Sequence, residues 1–274
     1  MSGVDRYAVF GNPIEQSRSP EIHAAFAAAT GQALSYDRCA PAIDGFNAAA
    51  EQFFAGGGAG LNVTMPFKQD ACAFADQLTD RAKLACAVNT LTNRNGTIVG
   101  DTTDGVGLLR DLRDNLGWPL AAQKILILGA GGAVRGVLGE LLGELPQHLV
   151  IANRTVSKAL DLARLFAEHG YLIGCDYTML DGQQFDLIIN ASGAGLVGAQ
   201  VALPDDLLLP GGRAYDLTYA GEPTPFLRWA TPRATATADG LGMLVEQAAE
   251  SFAIWRGVRP ATAEVIAGLR RFLA

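Results

Sequence analysis

Lys124-Ile125-Leu126-Ile127-Leu128 runs straight into Gly129-Ala130-Gly131-Gly132-Ala133, and this join constrains the fold more than any other stretch. Four consecutive aliphatic residues, two of them β-branched, predict a strand buried on both faces, as in a parallel sheet. The glycines predict a tight turn that exposes backbone N–H groups. Beyond them Val137-Leu138-Gly139-Glu140-Leu141-Leu142 has the apolar spacing of a helix. Strand, glycine turn and helix together place a pyrophosphate on a helix N-terminus, where unpaired N–H groups and the macrodipole attract negative charge. The match to G-x-G-x-x-G is incomplete, because Val134 stands at the third glycine. An ordinary βα turn is the alternative; the flanking strand and helix favour the nucleotide loop.

The next strand, His148-Leu149-Val150-Ile151-Ala152-Asn153, ends in Arg154-Thr155, with Lys158 shortly after and no acid before Asp161. An Asp or Glu at this place accepts the ribose hydroxyls of NAD and would repel a 2′-phosphate. A guanidinium holds that phosphate through paired N–H bonds. The pattern therefore points to NADP(H); a solvated basic start to the next helix is the plainer alternative.

At 274 residues the chain exceeds the size at which single cores stop growing, so two domains are expected. Its 32 glycines are about 12% of the chain, against a usual ~7%, and with 12 prolines and no repeat they imply tight turns. The net charge of −7 gives no basic field for nucleic acid, so a polyanionic cofactor must be met by local cations. No signal-peptide core and no 18-residue apolar run is present, which predicts a cytoplasmic protein without a membrane partner. Cys39, Cys72, Cys86 and Cys175 have no metal-ligand or C-x-x-C spacing and read as buried reduced thiols; no metal site is expected.

Elsewhere four stretches combine polar residues with element boundaries. Ser17-Arg18-Ser19-Pro20 precedes a helix from about residue 21 to Thr30, closed by Gly31. Ser19 is a good N-cap before proline, and Ser17 and Ser19 at the positive helix end also suit an anion. In Leu61-Asn62-Val63-Thr64-Met65-Pro66-Phe67-Lys68 the alternation puts Asn62 and Thr64 on one face of a strand. Pro66 is expected in the first turn of a new helix. Lys68 would share that turn, where the dipole disfavours a cation by about 0.3–1 kcal/mol; it is either a surface lysine or a functional one. Ala87–Thr92 and Thr97–Gly100 flank Asn95-Gly96, a hairpin signal. The second strand leads to Asp104, a helix cap or a working carboxylate, before a helix over 106–115. Further on, Phe185–Asn190 and Ala214–Leu217 read as sheet. From Met243 to Trp255 an apolar stripe leaves Gln247 at its edge.

These pieces together resemble the shikimate dehydrogenases of the shikimate/quinate dehydrogenase family. The matching stretches are 11–14 with 17–20, 62–68, 87–90, 103–105, 129–133, 153–155, 215–216 with 224–225, and 238–244, in family order over nearly the whole chain. The resemblance implies an α/β protein of two domains with a cleft between them. Residues 1–104 with 240–274 would bind substrate, and 105–239 would form a Rossmann-type NADP domain. The implied reaction is reversible NADPH reduction of 3-dehydroshikimate to shikimate. Ser17 and Ser19 would hold the substrate carboxylate. Asn62, Thr64, Asn89, Asp104 and Gln247 would bind ring hydroxyls, with Lys68 and Asp104 as the catalytic pair. The glycine turn Gly129, Ala130, Gly131, Gly132 and Ala133 would cradle the pyrophosphate. Asn153, Arg154, Thr155 and Lys158 would surround the 2′-phosphate, and Leu217, Tyr219 and Gly240 would lie near the nicotinamide. A monomer or homodimer is implied.

The chemistry of the residues agrees with this. Hydride delivery to a ketone leaves an alkoxide that needs a positioned acid. His23, His148 and His169 stand in contexts unlike a catalytic histidine's, which leaves a Lys–Asp pair. Two departures from the family pattern are visible: Thr102 replaces an asparagine, and Ser192-Gly193-Ala194-Gly195 replaces a more hydroxyl-rich loop. The rivals are an NAD-using quinate/shikimate paralogue, which an acid after the second nucleotide strand would have favoured, and a non-catalytic NADP(H)-binding regulator.

Overall fold

The computed structural model describes residues 4–192 and 202–273. The chain forms two compact units, Met1–Gly107 with Val245–Ala267, and Leu108–Leu244 with Gly268–Ala274. No helix among the described residues is long and apolar enough to cross a membrane.

The first unit is built on six strands: β1 (Asp5–Phe10), β2 (Leu34–Cys39), β3 (Gly58–Val63), β4 (Gln77–Leu78), β5 (Thr90–Arg94) and β6 (Thr97–Asp101). Their order is β2-β1-β3-β5-β6-β4. β1 pairs in parallel with both β2 and β3, so each connection must cross over, and α1 (Ser19–Thr30) and α2 (Phe46–Ala55) supply the crossovers. β3 then meets β5 in antiparallel pairing. The hairpin expected from Asn95-Gly96 joins β5 to β6, with φ of 55° and 93° at those two residues, the left-handed pair that a tight hairpin turn requires. Phe10, Phe46, Leu61, Phe67 and Leu91 fill the core on this sheet.

The second unit is a sheet of β7 (Lys124–Leu128), β8 (His148–Ala152), β9 (Leu172–Cys175), β10 (Phe185–Asn190), β11 (Leu208–Asp216) and β12 (Ala236–Asp239). All five pairings are parallel, in the order β12-β11-β10-β7-β8-β9. Ile125 to Leu128 are at most 1% exposed, as the unbroken aliphatic run requires. The strand order reverses between β7 and β10, and open parallel sheets bind ligands beyond the carboxyl ends of the strands at such a switch point. α6 (Gly132–Gly143) and α7 (Val156–Leu165) follow β7 and β8.

Some local expectations gave way. α1 begins at Ser19 itself, with Arg18 at the N-cap and no side-chain cap bond, so Ser19 is not the cap. Pro66 follows a cis bond in the turn before α3 (Lys68–Phe74) and lies outside the helix. α4 (Asp80–Ala85) comes next. The helix predicted over 106–115 is α5 (Asp104–Arg110) passing into a wider π turn at Asp111–Asn115. α8 (Pro225–Ala230), α9 (Leu241–Arg256) and α10 (Ala263–Leu273) complete the helices used below.

Candidate active site

In the first unit, the polar residues at the ends of β3, β5 and β6 converge. Lys68 opens α3, and its Nζ donates to Asp104 Oδ2 at 2.5 Å. Both side chains are largely buried, 16% and 7% exposed. The other carboxylate oxygen accepts from Asn89 Nδ2 at 2.9 Å. Asp104 stands at the start of α5, yet both its oxygens are used on these two side chains, so the ion pair, not helix capping, accounts for its orientation. Lys68 occupies the first turn against the helix dipole, and Asp104 is the compensating anion. The amide of Asn89 also reaches Thr103 Oγ1 (2.9 Å) and Gln247 Oε1 (3.1 Å). Gln247 comes from α9, which approaches α5 closely because residue 107 is glycine: a Cβ there would lie 2.6 Å from Gln247 Cβ.

Behind this group lies a layer of which the sequence announced only Asn62. Asn62 Nδ2 donates toward the Asn89 carbonyl (3.0 Å) and Ser251 Oγ (3.1 Å), and its Oδ1 accepts from the Tyr36 hydroxyl at 2.7 Å. Its amide is therefore largely spent on the protein. Thr90 Oγ1 donates to Asn89 Oδ1 and shares a hydrogen bond with Ser251. Tyr36 also meets Ser19, and burial pushes its phenol well above the usual value. The ring of Tyr36 stacks on His23 with centroids 4.3 Å apart. His23 is fully buried, neither ring nitrogen has a hydrogen-bond partner among the described residues, and burial pushes its pKa down to about 3. It is a neutral packing residue, as its context suggested. The signal for Tyr36 was weak: a tyrosine in a short strand reads as core.

Ser17 and Ser19 lie together, with hydroxyls 3.2 Å apart. Arg38 on β2 donates through Nε to the Ser17 carbonyl at 2.8 Å and pairs with Glu21 at 2.7 Å, which pins the turn carrying both serines. Thr64 is half-buried one residue past Val63, where β3, the strand that carries Asn62, ends, so the two do not share a strand as the alternation predicted.

In the second unit, the glycine turn has the form a dinucleotide needs. Gly129 has φ of +111°, and a Cβ on it would come within 2.9 Å of the Ala191 carbonyl, so only glycine lets β7 turn beside the end of β10. Among the described residues nothing lies within 4 Å of where a Cβ of Gly131, the N-cap of the 12-residue α6, would be. Val134, in place of the third glycine, is fully buried and belongs to the core. Past β8, Asn153 Nδ2 holds the Thr155 carbonyl (2.8 Å), and Arg154, Thr155 and Lys158 are exposed at the start of α7. A glycine turn at a helix N-terminus, with cations and no acidic residue in the stretch after β8 before Asp161, fits NADP(H). Gly240 packs against the Leu217 carbonyl, and Tyr219 is half-buried two residues on.

The Thr102 departure does not leave Asp104 loose, since Lys68 and Asn89 hold it; the Thr102 hydroxyl is buried without a partner among the described residues. Ser192 bonds Asn190, while residues 193–195 of the other departure lie outside the described residues. The reading of all four cysteines as buried thiols needs correction. Cys86 is exposed, because it ends α4 in a left-handed turn at the surface, and Cys39 at the end of the edge strand β2 is only half-buried.

A parallel dinucleotide-binding sheet with a glycine turn, joined in one chain to an α/β unit that carries a buried Lys–Asp pair, defines a nucleotide-dependent oxidoreductase. Family profiles match along the chain: the shikimate dehydrogenase substrate binding domain over residues 9–91, shikimate/quinate 5-dehydrogenase over 112–197, and the shikimate 5′-dehydrogenase C-terminal domain over 240–269. The shikimate dehydrogenase (NADP(+)) of Methylococcus capsulatus is 58% identical over 97% of this chain and 96% of its own, and that of Alkalilimnicola ehrlichii 56% identical over 97% and 98%. The crystal structure of the Thermus thermophilus shikimate 5-dehydrogenase with NADP(H) and shikimate superposes with a TM-score of 0.87 at 32% identity, covering 97% and 99% of the two chains. The chain belongs to the shikimate dehydrogenase family.

Proposed function

We infer that this chain catalyses the reversible NADPH-dependent reduction of 3-dehydroshikimate to shikimate, a step toward chorismate and the aromatic amino acids. The observation that carries this is identity above one half, over nearly the full length, to relatives named for that activity with NADP(+). The Lys68–Asp104 pair and the acid-free turn after β8 support it independently.

Residues 1–104 with 240–274 bind the substrate, and residues 105–239 hold the cofactor. Ser17 and Ser19 take the substrate carboxylate; the Ser17 hydroxyl also accepts from the Ser19 amide at the start of α1 (3.3 Å). Thr64, Asn89, Gln247 and Asp104 address the ring hydroxyls, and Asn62 contributes mainly by fixing Asn89. The 2′-phosphate lies on Arg154, Thr155 and Lys158 with Asn153, the pyrophosphate on residues 129–133, and the nicotinamide end by Leu217, Tyr219 and Gly240.

Bound NADPH supplies the hydride to the carbonyl carbon. Lys68 hydrogen-bonds the carbonyl oxygen and gives it a proton as negative charge develops there; in the oxidative direction it takes the hydroxyl proton back. Asp104 holds the ammonium in place, and Asn89 holds Asp104. Burial of the pair strengthens both contacts, since a low local dielectric weakens competition from water. The enzyme works in the cytoplasm as a monomer or homodimer; its four free cysteines suit a reducing compartment.

The test is the purified protein with shikimate or quinate and NADP⁺ or NAD⁺, following reduced-nicotinamide absorbance. Turnover with shikimate and NADP⁺ well above the other three combinations is expected. Preference for quinate and NAD⁺, or cofactor binding without turnover, overturns the reading.

A further inference from the structure

Two cysteines sit on the segments that carry Lys68 and Asn89. Cys72 lies one turn after Lys68 on α3, and Cys86 ends α4 three residues before Asn89. Their sulfurs are 3.9 Å apart, in van der Waals contact. Cys39 and Cys175 belong to β2 and β9. We propose that Cys72 and Cys86 form a reversible disulfide under hydroperoxide stress, and that this bond throttles the Lys68–Asp104–Asn89 group.

The two thiols are unlike. Cys86 is exposed and meets the oxidant first. Cys72 is buried, and burial with Cys86 beside it pushes its thiol up to about 11, which suits a resolving thiol that stays protonated until its partner is oxidised. The Cys86 sulfur attacks a hydroperoxide: an S–O bond forms, the O–O bond breaks, and water or an alcohol leaves. The Cys72 sulfur then attacks the sulfenic sulfur, the S–S bond forms, and water departs with the hydroxyl and the Cys72 proton. Two thiols lose two electrons, and the hydroperoxide gains them.

Closure brings the sulfurs from 3.9 Å to about 2.05 Å. The Val88 amide donates to the Lys68 carbonyl at 2.9 Å, so α3 and the 86–89 segment are already joined where the pull acts. Lys68 and Asn89 both bond Asp104, and a misplacement of about 1 Å in such a group costs up to ~100-fold in rate. The disulfide rests on geometry alone; its effect on turnover rests on the role given to Lys68 above.

The experiment treats the reduced full-length protein with a small excess of hydrogen peroxide. Intact mass is expected to fall by about 2 Da with loss of two thiols, peptide mapping to join Cys72 to Cys86, and kcat to fall about tenfold or more, with recovery in dithiothreitol. Cys72→Ala and Cys86→Ser, each assayed reduced and then treated, are expected to keep their own kcat through the same treatment. Oxygen adducts without a link, a link through Cys39 or Cys175, a link between chains, or a Cys72–Cys86 link that leaves kcat unchanged would each overturn the proposal. Reduced protein inactive toward shikimate sinks the functional reading instead, while the mass measurement still reports on the disulfide.

Discussion

Asn89 Nδ2 and Asp104 Oδ1 are 2.9 Å apart, and this bond fixes the carboxylate oxygen that Lys68 does not hold. A hydrogen bond to a charged group contributes about 1.5–3 kcal/mol. Asn89→Ala is therefore expected to lower kcat/KM about 10- to 150-fold, with circular dichroism unchanged. A loss under twofold in steady-state assays would show that Asp104 is held without Asn89.

Arg154 is exposed just past β8, with no acidic residue following it in sequence before Asp161. Arg154→Ala removes a charged partner of the 2′-phosphate, and NADP(H) binding is expected to weaken about 10- to 150-fold, while KM for shikimate stays within about twofold. Titration calorimetry checks the first part and initial rates the second. Unaltered NADP(H) affinity would remove Arg154 from the cofactor site.

Tyr36 donates to Asn62 at 2.7 Å, and Asn62 in turn supports the Asn89 carbonyl. Tyr36→Phe keeps the ring stacked on His23 and loses only the hydroxyl. A neutral hydrogen bond nets about 0.5–1.5 kcal/mol, so kcat/KM is expected to fall about 2- to 12-fold with cofactor affinity unchanged. A fall in thermal stability with unaltered kinetics would assign Tyr36 to packing alone.

His23 makes the stability pH-dependent. Its folded pKa is near 3, against 6.5 for the free side chain, because burial disfavours the charged ring. Between those values the unfolded chain binds the extra proton, so stability is intact above about pH 6.5 and is lost as pH falls toward 3, by up to ~1.4 kcal/mol per pH unit. His23→Phe keeps the aromatic contact and removes the titration. Urea unfolding from pH 7 to pH 4 should give the variant a visibly flatter acid limb; identical slopes would mean that His23 takes up its proton in the folded protein as readily as in the unfolded chain.

Elements whose burial is all-or-none were legible. The run at 125–128 permits only a strand covered on both faces, and Asn95-Gly96 permits only a tight hairpin turn, so the parallel sheet and the β5–β6 ribbon follow from local pattern. Lys68 and Asp104 were recognisable as candidates because each combined a helix start with a charge, although their 2.5 Å approach is long-range. Of the second layer only Asn62 stood out, by its alternation in the 61–68 stretch; its partners Tyr36, Thr90 and Ser251 did not, because they meet it across as many as 189 residues of sequence and none has a local pattern different from an ordinary strand or helix residue. Ser19 was misread as a cap because Ser-Pro is a local signal, whereas Arg18 takes that place and leaves the hydroxyl to Ser17 and Tyr36. Cys86 was misread because its exposure depends on a left-handed turn at a non-glycine residue.

The claim on which the mechanism depends is that the Lys68 ammonium, steadied by Asp104, transfers the proton. Steady-state kinetics of Lys68→Ala with shikimate and NADP⁺ tests it most directly. The expected result is a kcat reduced about 10²- to 10⁴-fold with KM for shikimate changed only a few-fold; near-normal kcat with a raised KM would make Lys68 a binding group and contradict the account.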